Sequence, residues 1–142
     1  MNSVAIFISV LVQQAVGAVY YGILGGAWAE SLGKTRADFE ASAGDPVPYV
    51  TGILSSIFLS LGTAWIFRQI GVRTLVTGLR YGFLFFLFFS VFESTMHTYY
   101  AHLSQRTLLI DSCYDLLTFL IAGAIIGAFP KKEKSTRSIS SI

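Results

Sequence analysis

The chain alternates between long apolar stretches and short polar interruptions. Four stretches, at 4–25, 49–67, 81–98 and 108–129, hold almost no charge. Each spans about 18–22 residues, and a helix rising about 1.5 Å per residue needs about 20 to cross a bilayer core. A soluble domain of 142 residues cannot hide four such stretches. The pattern therefore predicts an all-α integral membrane protein, a four-transmembrane-helix bundle with both termini cytoplasmic. It is expected as a single membrane domain over residues 1–130, with helices at about 4–25, 49–67, 75–98 and 107–129. Residues 131–142 read as a flexible, basic, serine-rich cytoplasmic tail.

The interruptions fix the order and orientation. The first apolar stretch runs into a glycine cluster, Gly22, Gly25 and Gly26. A long loop follows, about 28–48, with Lys34 and Arg36 against Glu30, Asp38, Glu40 and Asp45. Gly44-Asp45-Pro46 and Pro48 mark a turn that launches the second helix. The second connection is basic, with Arg68, Arg73 and Arg80 around Gly71. The third carries only His102 and Arg106, and the tail adds Lys131, Lys132, Lys134 and Arg137. The second connection and the tail together hold seven Lys and Arg, the other two connections three. The positive-inside rule then places both ends in the cytoplasm, in a plasma or inner membrane. Trp65 and Phe67 fall near the inner interface. Tyr20, Tyr21, Trp28, Tyr49, Tyr99 and Tyr100 form the expected outer belt.

Composition narrows the class. The chain is 54% hydrophobic and 13% charged, about half the charge of a typical soluble domain. A net charge of +2 is too small to argue for nucleic acid, and no nucleic-acid motif is present. Cys113 is the single cysteine, so no intrachain disulfide can form. Ala27-Trp28-Ala29 has the form of a signal-peptidase site, but the leader lacks Lys and Arg, and Gln13-Gln14 interrupt its core. The first stretch is accordingly expected to remain as a membrane helix.

Small residues recur every fourth position: Ala18, Gly22 and Gly26; Gly52, Ser56, Ser60 and Ala64; Gly123 and Gly127. That spacing lets helices approach closely in lipid. The phenylalanine-rich third stretch offers no such stripe from Tyr81 onward, so most of its aromatic surface is expected to face lipid.

The fourth stretch contains Leu109-Ile110-Asp111-Ser112-Cys113-Tyr114 and then Ala122-Gly123-Ala124-Ile125-Ile126-Gly127-Ala128-Phe129. Earlier come Tyr20-Tyr21-Gly22, Gly25-Gly26-Ala27-Trp28 and Leu32-Gly33-Lys34-Thr35. Together these resemble the small membrane proteins grouped as domain of unknown function 1761, over nearly the whole chain. The resemblance implies the same helical membrane fold and draws attention to Asp111 and Tyr114. It carries no established activity. That family commonly has an amide where His97 stands and an aromatic where Asp115 stands, so it gives those two residues no family-wide role.

Charges inside a membrane span are expensive and tend to mark function. Glu93 and His97 lie four apart on the third helix, and Asp111 and Asp115 four apart on the fourth. A short loop makes these helices antiparallel neighbours. Their depths predict His97 beside Asp111 and, deeper, Glu93 beside Asp115. The two carboxylates would then share a proton, a cation or a reaching arginine. The same four residues are the candidate metal ligands, in a pattern weaker than paired Glu-x-x-His motifs. No cofactor is strongly implied, and a metal remains open. Interhelical hydrogen bonding alone would also account for the four. Gln13 and Gln14, near mid-membrane, are read as an interhelical amide bond or as the lining of a polar path.

No nucleophilic triad, phosphate loop or haem-attachment motif is present, which argues against an enzyme. The expected function is permeation or transport of a proton, cation or small solute, in an oligomer, with Glu93, His97, Asp111, Tyr114, Asp115, Gln13 and Gln14 as the polar cluster. The alternatives are a non-catalytic accessory subunit of a larger membrane complex and a membrane-embedded metal-binding protein or enzyme. The bilayer is the one obligatory partner.

Overall fold

A computed structural model describes residues 1–41 and 44–130, apart from the side chain of Arg36. The expected tail at 131–142 lies outside the described residues. Helix α1 runs Ser3–Ser31, α2 Arg36–Ala41, α3 Val47–Ile70, α4 Leu75–Phe85, α5 Phe92–Tyr100 and α6 Gln105–Ala128. A π-helical segment, Phe86–Val91, joins α4 to α5. Together these three form one continuous span, Leu75–Tyr100. The described residues contain no strand. Four helices, α1, α3, the Leu75–Tyr100 span and α6, are long and apolar enough to cross a membrane. In lipid every backbone polar group must be satisfied within its own segment, which selects helices.

Helix ends follow local chemistry. Asn2 caps α1 by accepting from the Val4 and Ala5 N–H groups. Its amide also donates to the Phe129 carbonyl at 3.0 Å, tying the start of α1 to the end of α6. Gly22, Gly25 and Gly26 do not end α1, contrary to the predicted boundary near residue 25. The helix continues through them to Ser31, and the chain turns at Gly33 with φ 68°. Glycine costs a helix about 1 kcal/mol, but inside lipid a broken helix would strand several backbone groups at higher cost. Thr35 and Asp38 start α2 with reciprocal bonds, among them Thr35 N–H to Asp38 Oδ2 at 2.7 Å. Asp45 accepts from the Val47 N–H, with Pro46 as the cap of α3 and Pro48 in its first turn. At the other end of α3, Gly71 adopts φ 74°, and the Val72 N–H closes on the Phe67 carbonyl. Thr74 and Ser104 cap α4 and α6 by accepting from the Thr77 and Thr107 N–H groups.

Helix α6 is the hub, packed against α1, α3, α4 and α5. Its closest neighbour is α4, and the reason is glycine. A Cβ at Gly78 would overlap the Gly123 carbonyl, and one at Gly123 would overlap the Gly78 carbonyl. A Cβ at Gly82 would lie 2.5 Å from the Phe119 oxygen, and one at Gly127 2.6 Å from the Thr74 oxygen. The two backbones therefore touch, which only glycine permits. The expected stripe at Gly123 and Gly127 is a packing face. Its partner stripe, Gly78 and Gly82, begins before the apolar stretch read from Tyr81. A Cβ at Gly22, Gly26 or Gly52 would meet nothing within 4 Å among the described residues, so a close backbone approach does not require glycine at those positions.

An apolar core of Ala64, Phe67, Val72, Ala122 and Ile126 fills the end of the bundle where α3 meets α4. Phe67 is stacked at 6.2 Å from Tyr81 and 6.0 Å from Phe85. Outward lie Phe83, Phe88, Phe89 and Phe92, 47–71% exposed. In each span only 17–28% of the most apolar window is buried within the chain. The remainder is surface that lipid or a partner must cover.

Candidate functional site

Toward the end of the bundle that carries α2, the contacts of α6 change from glycine to hydroxyl and carboxyl. The Tyr21 hydroxyl donates to Asp111 Oδ1 at 3.1 Å, and the Tyr20 hydroxyl to the Ile110 carbonyl at 2.7 Å. The Tyr114 ring sits between them, 5.5 Å from Tyr20 and 5.1 Å from Tyr21. Its hydroxyl rests on Gly17, where a Cβ would come within 2.7 Å. Trp28 stacks edge-on to Tyr21 at 5.6 Å, and Phe39 of α2 covers Trp28 at 5.2 Å. The Trp28 indole N–H is turned toward Asp111, yet it is buried with no hydrogen-bond partner among the described residues. Below α2, Ser31 and Thr107 share a hydroxyl bond at 2.7 Å, which pins the end of α1 to the start of α6.

Asp115 lies one turn along α6 on the same face, but its hydrogen bonds go to a different helix. Ser90 donates to its Oδ2 at 2.6 Å and Ser94 at 3.4 Å. Ser90 belongs to the π-helical segment. Among the described residues no Lys or Arg forms an ion pair with either aspartate. The ion pair given by the described residues joins Arg106 and Glu30 at 3.6 Å, at the exposed loop end. Two carboxyl groups on adjacent turns are thus held by neutral hydroxyls alone.

The expected pairings of His97 with Asp111 and of Glu93 with Asp115 do not form. Asp111 is engaged by α1, and Asp115 by the serines. Glu93 and His97 share a face of α5, as their spacing predicts, but that face is exposed. The physical reason is the register of the span. Its buried line reads Gly78, Gly82, Phe86, Ser90, Thr98, with half-buried Ser94 between the last two. In an unbroken α-helix, steps of four drift by about 40° each. The wider π turn takes back part of that drift and keeps serines rather than Glu93 against α6. Glu93 and His97 end up roughly 60–100° around the helix from this line.

The four candidate metal ligands consequently do not converge. Among the described residues no group of three or more His, Cys, Asp or Glu could hold a metal ion. Gln13 and Gln14 stand apart from the aspartates as well. Gln13 Nε2 donates to Ser9 Oγ and Ser60 Oγ, each at 3.0 Å, and the two hydroxyls bond at 2.9 Å. Its Oε1 is buried with no partner among the described residues. Gln14 Nε2 donates to Ser56 Oγ at 2.7 Å and to the Gly52 carbonyl at 3.3 Å. The glutamines therefore join α1 to α3 through hydrogen bonds of their side-chain amides, and a continuous path to Asp115 is not formed by these contacts.

Sequence reasoning treated Tyr20 and Tyr21 as interface anchors and passed over Ser90, Ser94 and Gly17. The signal for the serines was available: Ser90 and Ser94 are four apart in a segment otherwise dominated by Phe.

Fold and site together define a multi-pass helical membrane protein with a carboxyl-bearing polar seam inside its bundle. The chain belongs to the family described as protein of unknown function DUF1761, whose model matches residues 4–127. Comparisons with the curated proteins and with the solved structures gave no match.

Proposed function

We propose that this protein binds an exchangeable proton or small cation at Asp111 and Asp115 and passes it along the membrane-embedded seam as a transport or permeation subunit. One observation carries the reading: two carboxyl groups, one turn apart within a span, are held by neutral donors and, among the described residues, by no basic side chain. Such a pair in low dielectric calls for a countercharge, which a proton or a cation supplies. Hydroxyl groups suit both states, since they donate to a carboxylate and accept from a carboxylic acid. The buried Trp28 N–H, without a partner among the described residues, adds a further donor beside Asp111. The orientation proposed has both termini cytoplasmic, supported by seven Lys and Arg on one side and three on the other. The aspartate seam then opens toward the outside, beneath α2, in a plasma or inner membrane.

Infrared difference spectra of the protein in liposomes test the binding step. Stepping pH, or exchanging Na+ for a bulky impermeant cation, should change a carboxyl band, and Asp115→Asn should remove that change. A spectrum insensitive to both steps contradicts the proposal.

A second reading, a non-catalytic subunit packed against other chains, gains from the exposed aromatic face of Phe88, Phe89 and Phe92. The membrane metal-protein reading has no comparable support, because Glu93 and His97 point away from the aspartates.

A further inference from the structure

The end of the bundle opposite α2 gathers cations and no acid. It brings together the start of α1, the end of α3, the start of α4 and the end of α6. Arg68, Arg73, Arg80 and the N-terminus lie there. Every acid of the described residues, from Glu30 to Asp115, lies in the other half of the spans or in the loops beyond it. The Phe67 and Tyr81 rings meet 6.2 Å apart. Arg68 follows the first ring in sequence and Arg80 precedes the second, so this contact sets two arginine-bearing turns side by side. Both arginines are exposed, and neither makes a hydrogen bond or ion pair among the described residues. Arg80 starts inside the apolar span. The span has 26 residues, about 39 Å at 1.5 Å per residue, against a hydrocarbon core of about 30 Å. With the overhang shared equally, the Arg80 backbone lies roughly 3 Å below the core boundary. Helical side chains lean toward the helix N-terminus, which for Arg80 is the nearer surface. Its guanidinium therefore emerges at the level of the lipid phosphates.

We propose that Arg68 and Arg80 bind the phosphate of an anionic phospholipid, held between the end of α3 and the first turns of α4. A guanidinium suits that ligand, since it is always charged and forms paired hydrogen bonds to phosphate oxygens. The surroundings select lipid as the source. At this depth the abundant phosphate is that of a headgroup, and the flanking surface can hold acyl chains. Trp65, Val76 and Phe83 are 58%, 73% and 47% exposed. Trp65 lies one turn before Arg68, Val76 one turn before Arg80 and Phe83 one turn after it. An anionic headgroup is favoured over a zwitterionic one, because this end offers no described acid to meet an ammonium group. Basic residues at the headgroup level are worth about fivefold in affinity for anionic lipid apiece. Nothing here depends on the aspartate seam, which lies in the other half of the bundle.

The test is native mass spectrometry of the full chain in neutral detergent, mixed with equal amounts of phosphatidylglycerol and phosphatidylcholine. The wild-type chain should retain phosphatidylglycerol with a preference of about tenfold or more. Arg68→Gln and Arg80→Gln should each lower that preference by about fivefold, and together they should abolish it. Arg106→Gln, which removes an exposed arginine at the opposite end, should leave it unchanged. Excess inorganic phosphate should not displace the lipid. Melts followed by tryptophan fluorescence in lipid-free detergent should match wild type for the single variants, which carry the decision by themselves should the double variant fail to fold. Equal retention of the two lipids by the wild-type chain overturns the proposal, as does a preference that survives both single variants. A preference that falls as far in Arg106→Gln would mark a response to net charge alone and overturns it too. Displacement by inorganic phosphate overturns lipid as the occupant.

Discussion

Helix α6 has two halves that solve the same packing problem in opposite ways. Toward its C-terminus it meets α4 backbone to backbone, through Gly78, Gly82, Gly123 and Gly127, where the nearest atoms across the contact are backbone atoms. Toward its N-terminus it meets α1 and α5 through Asp111, Asp115 and the hydroxyls of Tyr21, Ser90 and Ser94. In lipid no hydrophobic force favours one apolar surface over another, so close van der Waals contact and interhelical hydrogen bonds do the work. The glycine half supplies all the association the bundle needs at that end without ionisable groups. The polar half uses carboxyl groups where hydroxyls or small residues would serve for adhesion, at the expense of burying them. That contrast is the ground for proposing stability mainly in the first half and chemistry in the second.

The largest expected effect lies in the glycine half. Gly123→Leu should destabilise the bundle by about 2–3 kcal/mol, because its first side-chain carbon already collides with the Gly78 carbonyl. Gly22→Leu, at a position with nothing within 4 Å, should stay within about 0.5 kcal/mol of wild type. Thermal melts of both in the same detergent check the pair. Equal effects would erase the distinction between contact and lipid-facing glycines.

Next comes Gly17→Ala, which presses a methyl group on the Tyr114 hydroxyl. It should cost about 1–2 kcal/mol and displace the Tyr114 ring from Tyr20 and Tyr21. A near-ultraviolet circular dichroism spectrum reports the second part.

Hydrogen bonds in the polar half should matter less for stability than the glycines. Tyr21→Phe removes the donor to Asp111 and should cost about 0.5–1 kcal/mol. Ser90→Ala should cost about the same. If either variant melted as far below wild type as Gly123→Leu, the polar half would be the structural one. The smallest effect is expected from Glu93→Gln, since the exposed Glu93 side chain makes no hydrogen bond or ion pair among the described residues, and the melt should stay within about 0.5 kcal/mol of wild type.

The two halves were also unequally legible in the sequence. Four spans follow from apolar length alone, and α6 shows its Gly123 and Gly127 stripe at a spacing of four. Amide bonding by Gln13 and Gln14 was one of two stated options, and the contacts to Ser60 and Ser56 favour it. The facing stripe escaped notice because Gly78 and Gly82 straddle the apparent start of the third apolar stretch. The polar half was misread through register. Residues 86–91 read Phe-Leu-Phe-Phe-Ser-Val, and nothing in that composition announces a π turn. Matching depths paired Glu93 with Asp115 without fixing which face of the span meets α6, and the wider turn brought Ser90 and Ser94 there. Tyr20 and Tyr21 had the depth of interface anchors, and only the crossing of α1 over α6 turns their hydroxyls inward.

The central claim is that Asp111 and Asp115 serve ion or proton movement and are not needed to hold the helices together. The direct measurement is flux into liposomes containing the purified protein, read with an internal pH dye under an imposed potential and with Na+ or K+ gradients. The double variant Asp111→Asn/Asp115→Asn keeps hydrogen-bonding capacity for the tyrosine and serines and should melt within about 1 kcal/mol of wild type. Wild-type liposomes should pass protons or one of the cations above the protein-free rate, and the double variant should fall to that rate. Flux that survives in the double variant, or wild-type liposomes no leakier than empty ones, would contradict the account.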